Sequence, residues 1–252
     1  MKKVRLAVVS GFEKFGTYPS NPTERITRKL SNVQIDGIQI VSAILPNLYD
    51  AHVQLLRVVA EAKRRHNVQS DEPVIIISGG LSTSIREISL EAAGWNAIDS
   101  KYADAHGDLV QDGRKLDLNG PLGYKTNVDL VELLFALNKI GVPGRISADP
   151  GRFTCNSLTY TMSHAISSRE LRLLFLFYHS AFTETDGQNE ELRTEIAKAG
   201  KVLFPDRYLE QGIPALIVAL AKQAEAVYGK WPLPIPITEL PSERVISHKD
   251  EL

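Results

Sequence analysis

Three side chains in this sequence could act together as a nucleophile, a base and a group that orients the base. Cys155 is the only cysteine in 252 residues, so it has no disulfide partner within the chain. It follows Asp149-Pro150-Gly151 near the expected start of a helix, where unpaired backbone N–H groups and the helix dipole favour thiolate over thiol. The same N–H groups could hold an oxyanion. By residue type alone a lone cysteine is more often buried and inert. His179 ends the apolar run Leu173-Leu174-Phe175-Leu176-Phe177-Tyr178, where the sequence switches from buried to polar, and an imidazole titrates in the range a general base needs. Glu91, in Ile88-Ser89-Leu90-Glu91-Ala92-Ala93, is an acid among small and apolar neighbours. It can orient an imidazole as the third member of a triad does, although such an acid more often faces solvent. His164 shares the expected helix of Cys155, and at the helical rise the two stand about 13 Å apart, too far for direct contact. His52, His66, His106 and His248 receive no chemical role.

Strands and helices alternate along the chain and must position these three groups. Residues 4–10 read as a short apolar strand, followed by the turn-rich loop Gly11-Phe12-Glu13-Lys14-Phe15-Gly16 and a helix over 24–30 capped by Thr23. A strand is expected over 39–45. Residues 49–65 are amphipathic, with Val53, Leu56, Val59 and Ala60 at helical spacing and the basic end Lys63-Arg64-Arg65 complementing the helix dipole. Val74-Ile75-Ile76-Ile77 suits the middle of a sheet covered on both faces, with Gly79-Gly80 ending it. Residues 89–98 look extended, and 99–125 are a polar excursion rich in Gly and Asp. Helices over 128–140, 155–166 and 213–228 and strands over 145–148 and 171–177 complete the pattern. The expected fold is three-layer α/β/α around a mostly parallel sheet, whose ligands bind at the carboxyl ends of the strands. Residues 1–228 are expected to form one catalytic domain. The Pro-rich segment Trp231-Pro232-Leu233-Pro234-Ile235-Pro236 opens a tail over 229–252.

Composition narrows the partners. A formal net charge of -1 gives no electrostatic reason to expect nucleic acid or an anionic membrane, so small or peptidic ligands fit better. The N-terminus reaches Glu13 and Lys14 too soon for a signal-peptide core, and no stretch is long enough to span a bilayer. The expectation is therefore a cytoplasmic protein, with the terminal Lys249-Asp250-Glu251-Leu252 matching a retrieval address by coincidence.

Four blocks in order resemble pyroglutamyl peptidase I, the cysteine peptidase family that removes N-terminal pyroglutamate. They are Ser10-Gly11-Phe12-Glu13-Lys14-Phe15-Gly16 with Asn21-Pro22; Gly80-Leu81 with Ile88-Ser89-Leu90-Glu91 and Trp95-Asn96-Ala97-Ile98-Asp99; Ser147-Ala148-Asp149-Pro150-Gly151-Arg152-Phe153-Thr154-Cys155-Asn156; and His179. The resemblance implies a Cys155, His179, Glu91 triad acting through an acyl-enzyme, with no metal and no cofactor. It implies first-loop aromatics, here Phe12 and Phe15, around the lactam ring, with Asn21 ordering the loop and the backbone near Leu81 bonding the lactam. It further implies peptides with N-terminal pyroglutamate as partners and a homo-oligomer, dimer or tetramer. Leu81-Ser82-Thr83-Ser84 lacks the Gly-Gly-Arg run common in bacterial members, and Tyr178-His179-Ser180-Ala181 lacks the proline often found after the base. Arg152 is also less usual. These departures fall on the pocket and leave the three chemical residues intact. A cysteine hydrolase of another small amide, or a silent homologue that binds pyroglutamyl peptides without turnover, would carry the same residues. Two glycines after a strand fall well short of a phosphate-binding fingerprint.

Overall fold

The computed structural model describes residues 3–14, 16, 18–227 and 230–239. In chain order the elements are β1 (Leu6–Phe12), α1 (Pro22–Lys29), β2 (Gln34–Ile35), β3 (Ile38–Leu45), α2 (Ala51–Arg65), β4 (Val74–Leu81), β5 (Ile88–Glu91), β6 (Ala93–Trp95), β7 (Gly123–Lys125), α3 (Leu130–Lys139), β8 (Gly144–Ser147), α4 (Thr154–Ser168), β9 (Leu173–Ser180), α5 (Glu190–Lys198), α6 (Asp206–Ala226) and β10 (Ile235–Ile237). Seven strands form the main sheet in the order β2-β3-β1-β4-β9-β5-β8. Strands β3, β1, β4 and β9 are parallel, as their buried apolar runs require, because both faces are covered. Alternation along each strand divides the core. Ala7, Val9, Ile75, Ile77, Leu174 and Leu176 meet α1, α3 and α6, whereas Leu6, Val8, Val74, Ile76, Phe175 and Phe177 meet α2 and α4. This is the expected three-layer α/β/α arrangement around a mostly parallel sheet.

The sheet departs from the parallel pattern on both sides, beginning with the edge strand β2, which pairs antiparallel with β3. β5 runs antiparallel to β9, and β8 follows β5 in parallel, so the right-hand part of the sheet is reversed. A second sheet, β10-β7-β6, also packs against α4. Gly94 makes this approach possible, since a Cβ there would stand 2.5 Å from the Tyr160 backbone nitrogen. Helix α4 therefore packs against both sheets. That explains why its small polar residues Asn156, Ser157, Thr159 and Ser163 are buried without an amphipathic pattern. Part of the segment expected as a tail, Ile235–Ile237, pairs with β7. Lys249 to Leu252 lie outside the described residues.

Several boundaries move for physical reasons. Gly79-Gly80 does not end β4. The strand runs through it to Leu81, because Tyr178 packs where a Gly79 Cβ would be and the Cys155 sulfur sits 2.7 Å from a Gly80 Cβ. The cap of α1 is Asn21, whose Oδ1 accepts from the Thr23 N–H and hydroxyl; Thr23 lies inside the helix, and Pro22 occupies its first position. α5, β2, β7 and β10 were not expected. The polar excursion is irregular from Asn96 until β7, as expected. No helix among the described residues is long and apolar enough to cross a membrane.

Candidate active site

The site forms where the parallel strands end. His179 lies near the carboxyl end of β9 and continues the row of Leu173, Phe175 and Phe177, so it points toward α4. Cys155 arrives from above at the second position of α4, whose cap residue Phe153 makes no side-chain cap hydrogen bond. The first N–H groups of a helix have no partner within it, so this end of α4 presents donors beside the sulfur. Beneath the sulfur is Gly80, paired with His179 across β4 and β9; any side chain there would displace the thiol. Glu91 comes from the reversed strand β5. Ser89 pairs directly with His179, which makes Glu91 a diagonal neighbour on the same face. In chain order Glu91 comes after β4 and Cys155 after β8, while His179 lies within β9 near its carboxyl end. Strands β5 and β8 run the other way, and Cys155 is delivered by a helix.

Cys155 and Glu91 both act on the His179 imidazole. His179 Nδ1 and Glu91 Oε1 are 2.9 Å apart, with His179 7% and Glu91 2% exposed. Cys155 lies within hydrogen-bonding reach of the same imidazole. Burial pulls the His179 pKa down, but the negative charges and hydrogen bonds of Cys155 and Glu91 outweigh it and push the value up to about 9. The arrangement therefore favours the imidazolium form of His179. Glu91 Oε2 and the Ser89 hydroxyl are buried without a partner among the described residues.

These residues line a cavity of about 310 Å³, which is of ligand-pocket size. Phe12, Asn21 and Leu81 line it too, so the structure brings together all the expected site residues except Phe15, which lies outside the described residues. Phe12 is also core: it is 1% exposed, with its ring 6.4 Å from that of Phe177. Asn21 donates from Nδ2 to the Glu13 carbonyl at 3.2 Å while capping α1. Leu81 is buried, and its amide has a particular aspect. Ser82 N–H donates to Ser180 O on the β9 side, so alternation turns the Leu81 amide toward the β1 side, where pairing has ended at Gly11–Gly79.

Sequence reasoning missed four neighbours. Asn47 donates to the Glu13 and Lys14 carbonyls and so holds the first loop together with Asn21. Tyr18 and Tyr102 share a hydrogen bond; burial, then Tyr102, raises the Tyr18 pKa. Phe153 lies with its ring 6.2 Å from that of Tyr102. Phe153 was visible in the nucleophile block. Tyr102 had no local signal, because only the path of the 96–122 excursion carries it to the cavity, through Ala105 N–H to Asn47 O and Asp99 N–H to Arg152 O. His164 has a structural place, with Nδ1 3.0 Å from the Tyr124 hydroxyl.

Known proteins are similar to this chain in sequence and in fold. A pyrrolidone-carboxylate peptidase of Oceanobacillus iheyensis is 32% identical over 182 residues, 71% of this chain and 83% of that protein. One from Pyrococcus furiosus is 28% identical over 172 residues, 68% of this chain and 78% of that protein. Among solved structures, pyrrolidone carboxyl peptidase from Thermococcus litoralis matches 92% of this chain and all of its own with a TM-score of 0.76; at 23% identity that likeness concerns the fold alone. The profile of the pyroglutamyl peptidase family matches residues 4–187, the span that contains Glu91, Cys155 and His179, and the chain belongs to that family.

Proposed function

We propose that this protein hydrolyses the amide bond after an N-terminal pyroglutamyl residue, with Cys155 as nucleophile, His179 as base and acid, and Glu91 as the group that holds His179. The observation that carries the reading is the series Cys155, His179, Glu91, with 2.9 Å between His179 Nδ1 and Glu91 Oε1, at the floor of a cavity walled by Phe12 and Leu81. The lactam is small, flat and uncharged, and it suits an apolar wall with a few directed hydrogen bonds. Phe12 supplies the wall, the Leu81 amide faces the ring's polar edge, and Asn21 keeps the first loop in place.

The chemistry follows from the geometry. His179 accepts the thiol proton, and the sulfur attacks the carbonyl carbon to give a tetrahedral oxyanion beside the N–H groups that open α4. Collapse breaks the C–N bond, and His179 returns the proton to the leaving amine. Water, deprotonated by the same imidazole, then attacks the thioester and releases pyroglutamate with regeneration of the thiol. Glu91 accepts from Nδ1–H throughout and stabilises the imidazolium.

Comparing pyroglutamyl, prolyl and alanyl amides of one fluorophore tests the substrate class. Turnover of the pyroglutamyl amide far above the others is expected. Equal turnover of all three, or a preference for prolyl, would assign the triad to a different small amide.

A further inference from the structure

A single row of residues crosses the main sheet at the level of the site. Phe12 stands one step beyond the Gly11–Gly79 pair; Gly80 pairs with His179, His179 with Ser89, and Ser89 with Arg145 on the edge strand β8. Directly paired residues project to the same face, so Arg145 enters the α4 side of the sheet at the end opposite Phe12. At the usual strand spacing its Cα lies about 10 Å from that of His179. It lines the same cavity as Cys155 and His179.

Arg145 has donors to spare. Its side chain is 49% exposed, and its one ion pair, from Nε to Glu87 Oε1, is 3.5 Å long, beyond ordinary hydrogen-bond length. Neither Nη group makes a hydrogen bond among the described residues, and Glu87 is the one acid that pairs with the side chain there. The cavity's other arginine is committed: Arg152 Nη1 donates to Asp149 Oδ1 and to the Gly151 carbonyl, and its guanidinium lies 5.8 Å from the Trp95 ring centre. Of the acids at the cavity, Glu91 is bonded to His179 and Asp149 to Arg152.

This inference rests on the function proposed above. With the lactam on the Phe12 and Leu81 side and the sulfur above Gly80, the leaving part of the substrate runs across β5 toward β8. We infer that Arg145 forms a subsite for a carboxylate carried by the residue that follows pyroglutamate. A guanidinium with two free Nη groups presents the planar fork that matches a carboxylate. The carboxylate has two sources: the side chain of an Asp or Glu in that position, or the free α-carboxylate of a pyroglutamyl dipeptide.

Four substrates separate the cases: pyroglutamyl-alanine amide, pyroglutamyl-alanine as the free acid, pyroglutamyl-aspartate α-amide and pyroglutamyl-lysine amide, followed by release of the primary amine. The wild-type protein is expected to favour a carboxylate-bearing substrate over alanine amide by roughly fivefold in kcat/KM, mostly through KM, with lysine amide the poorest. Which carboxylate gains identifies the source. The preference should shrink at high salt, as befits a half-exposed charge. Arg145→Gln should bring the ratio to about one, Arg145→Lys should keep part of it, and Glu87→Gln, which removes the competing acid, should enlarge it. Equal turnover of all four by the wild-type protein, or a preference that survives Arg145→Gln, overturns the subsite while leaving the peptidase reading intact. Failure to cleave any of the four overturns the peptidase reading, and the subsite with it. Should Arg145→Gln not fold, an unchanged ratio in Glu87→Gln is by itself the contradicting result.

Discussion

His179 is the residue on which the electrostatics converge. Its pKa is about 9 against an ordinary 6.5, because the charges on Cys155 and Glu91 more than offset the cost of burial. The imidazolium should persist to about pH 9, so kcat/KM is expected to fall as pH rises through that value. Glu91→Gln removes one of the supporting charges; the alkaline limb should move to lower pH and kcat should drop by on the order of 10²-fold. A pH–rate profile with an unmoved limb in Glu91→Gln would contradict the role given to Glu91. The same shift links pH to stability. A folded-state pKa above the unfolded value stabilises the fold fully below about pH 6.5, and that contribution is lost as pH rises through about 9. The identities of these three groups were legible in sequence from their abrupt settings: a single cysteine after a Pro-Gly turn, a histidine ending an apolar run, an acid among small residues. Their mutual distances were not, because each comes from a different element.

Elements fix those distances through close approaches that only glycine allows. A Cβ at residue 80 would lie 2.7 Å from the Cys155 sulfur and 3.0 Å from the Phe177 ring, so Gly80→Ala should push the nucleophile off His179. The expected outcome is loss of most activity with a destabilisation of about 1–3 kcal/mol, read together by assay and urea unfolding. Asn21→Ala removes the α1 cap and one hold on the Glu13 carbonyl. About 1 kcal/mol of stability should go, with KM rising more than kcat falls, if the first loop shapes the lactam site. Sequence patterning found the strands of the core closely, since a run such as Val74–Ile77 is apolar at every position. It missed α5, whose apolar contribution is only Leu192 and Ile196, and it stopped β4 at the glycine pair, because turn chemistry and close packing leave the same residue type.

At the scale of the whole molecule, the segments around the site are tied down by contacts distant in sequence. Asp186, with a fully buried side chain, accepts from the Ser20 hydroxyl, the Arg25 guanidinium, and the Thr183 N–H and hydroxyl. It thereby joins α1 and the end of the first loop to the chain just past His179. Arg25, held above its ordinary pKa by Asp186 and Asp206 against the pull of burial, would be left partly unpaired in Asp186→Ala. A loss of about 3 kcal/mol is expected by urea unfolding, and a change below 0.5 kcal/mol would show the network to be ornamental. No motif announced this network, since its members span residues 20 to 206 and become neighbours only after folding. The reversed strands β5 and β8 were equally hidden. Strand direction depends on the path of the connections, and the irregular 96–122 excursion gives no periodic signal of where it leads.

The central claim is that the Cys155 sulfur attacks a pyroglutamyl amide, and the most direct measurement is fluorophore release from that amide before and after alkylation with iodoacetamide. Cys155 is the only thiol in the chain, so alkylation reports on it alone. Turnover by the untreated protein that disappears on alkylation, and is absent from Cys155→Ser with the fold intact, is the predicted result. Turnover that survives complete alkylation would contradict the account.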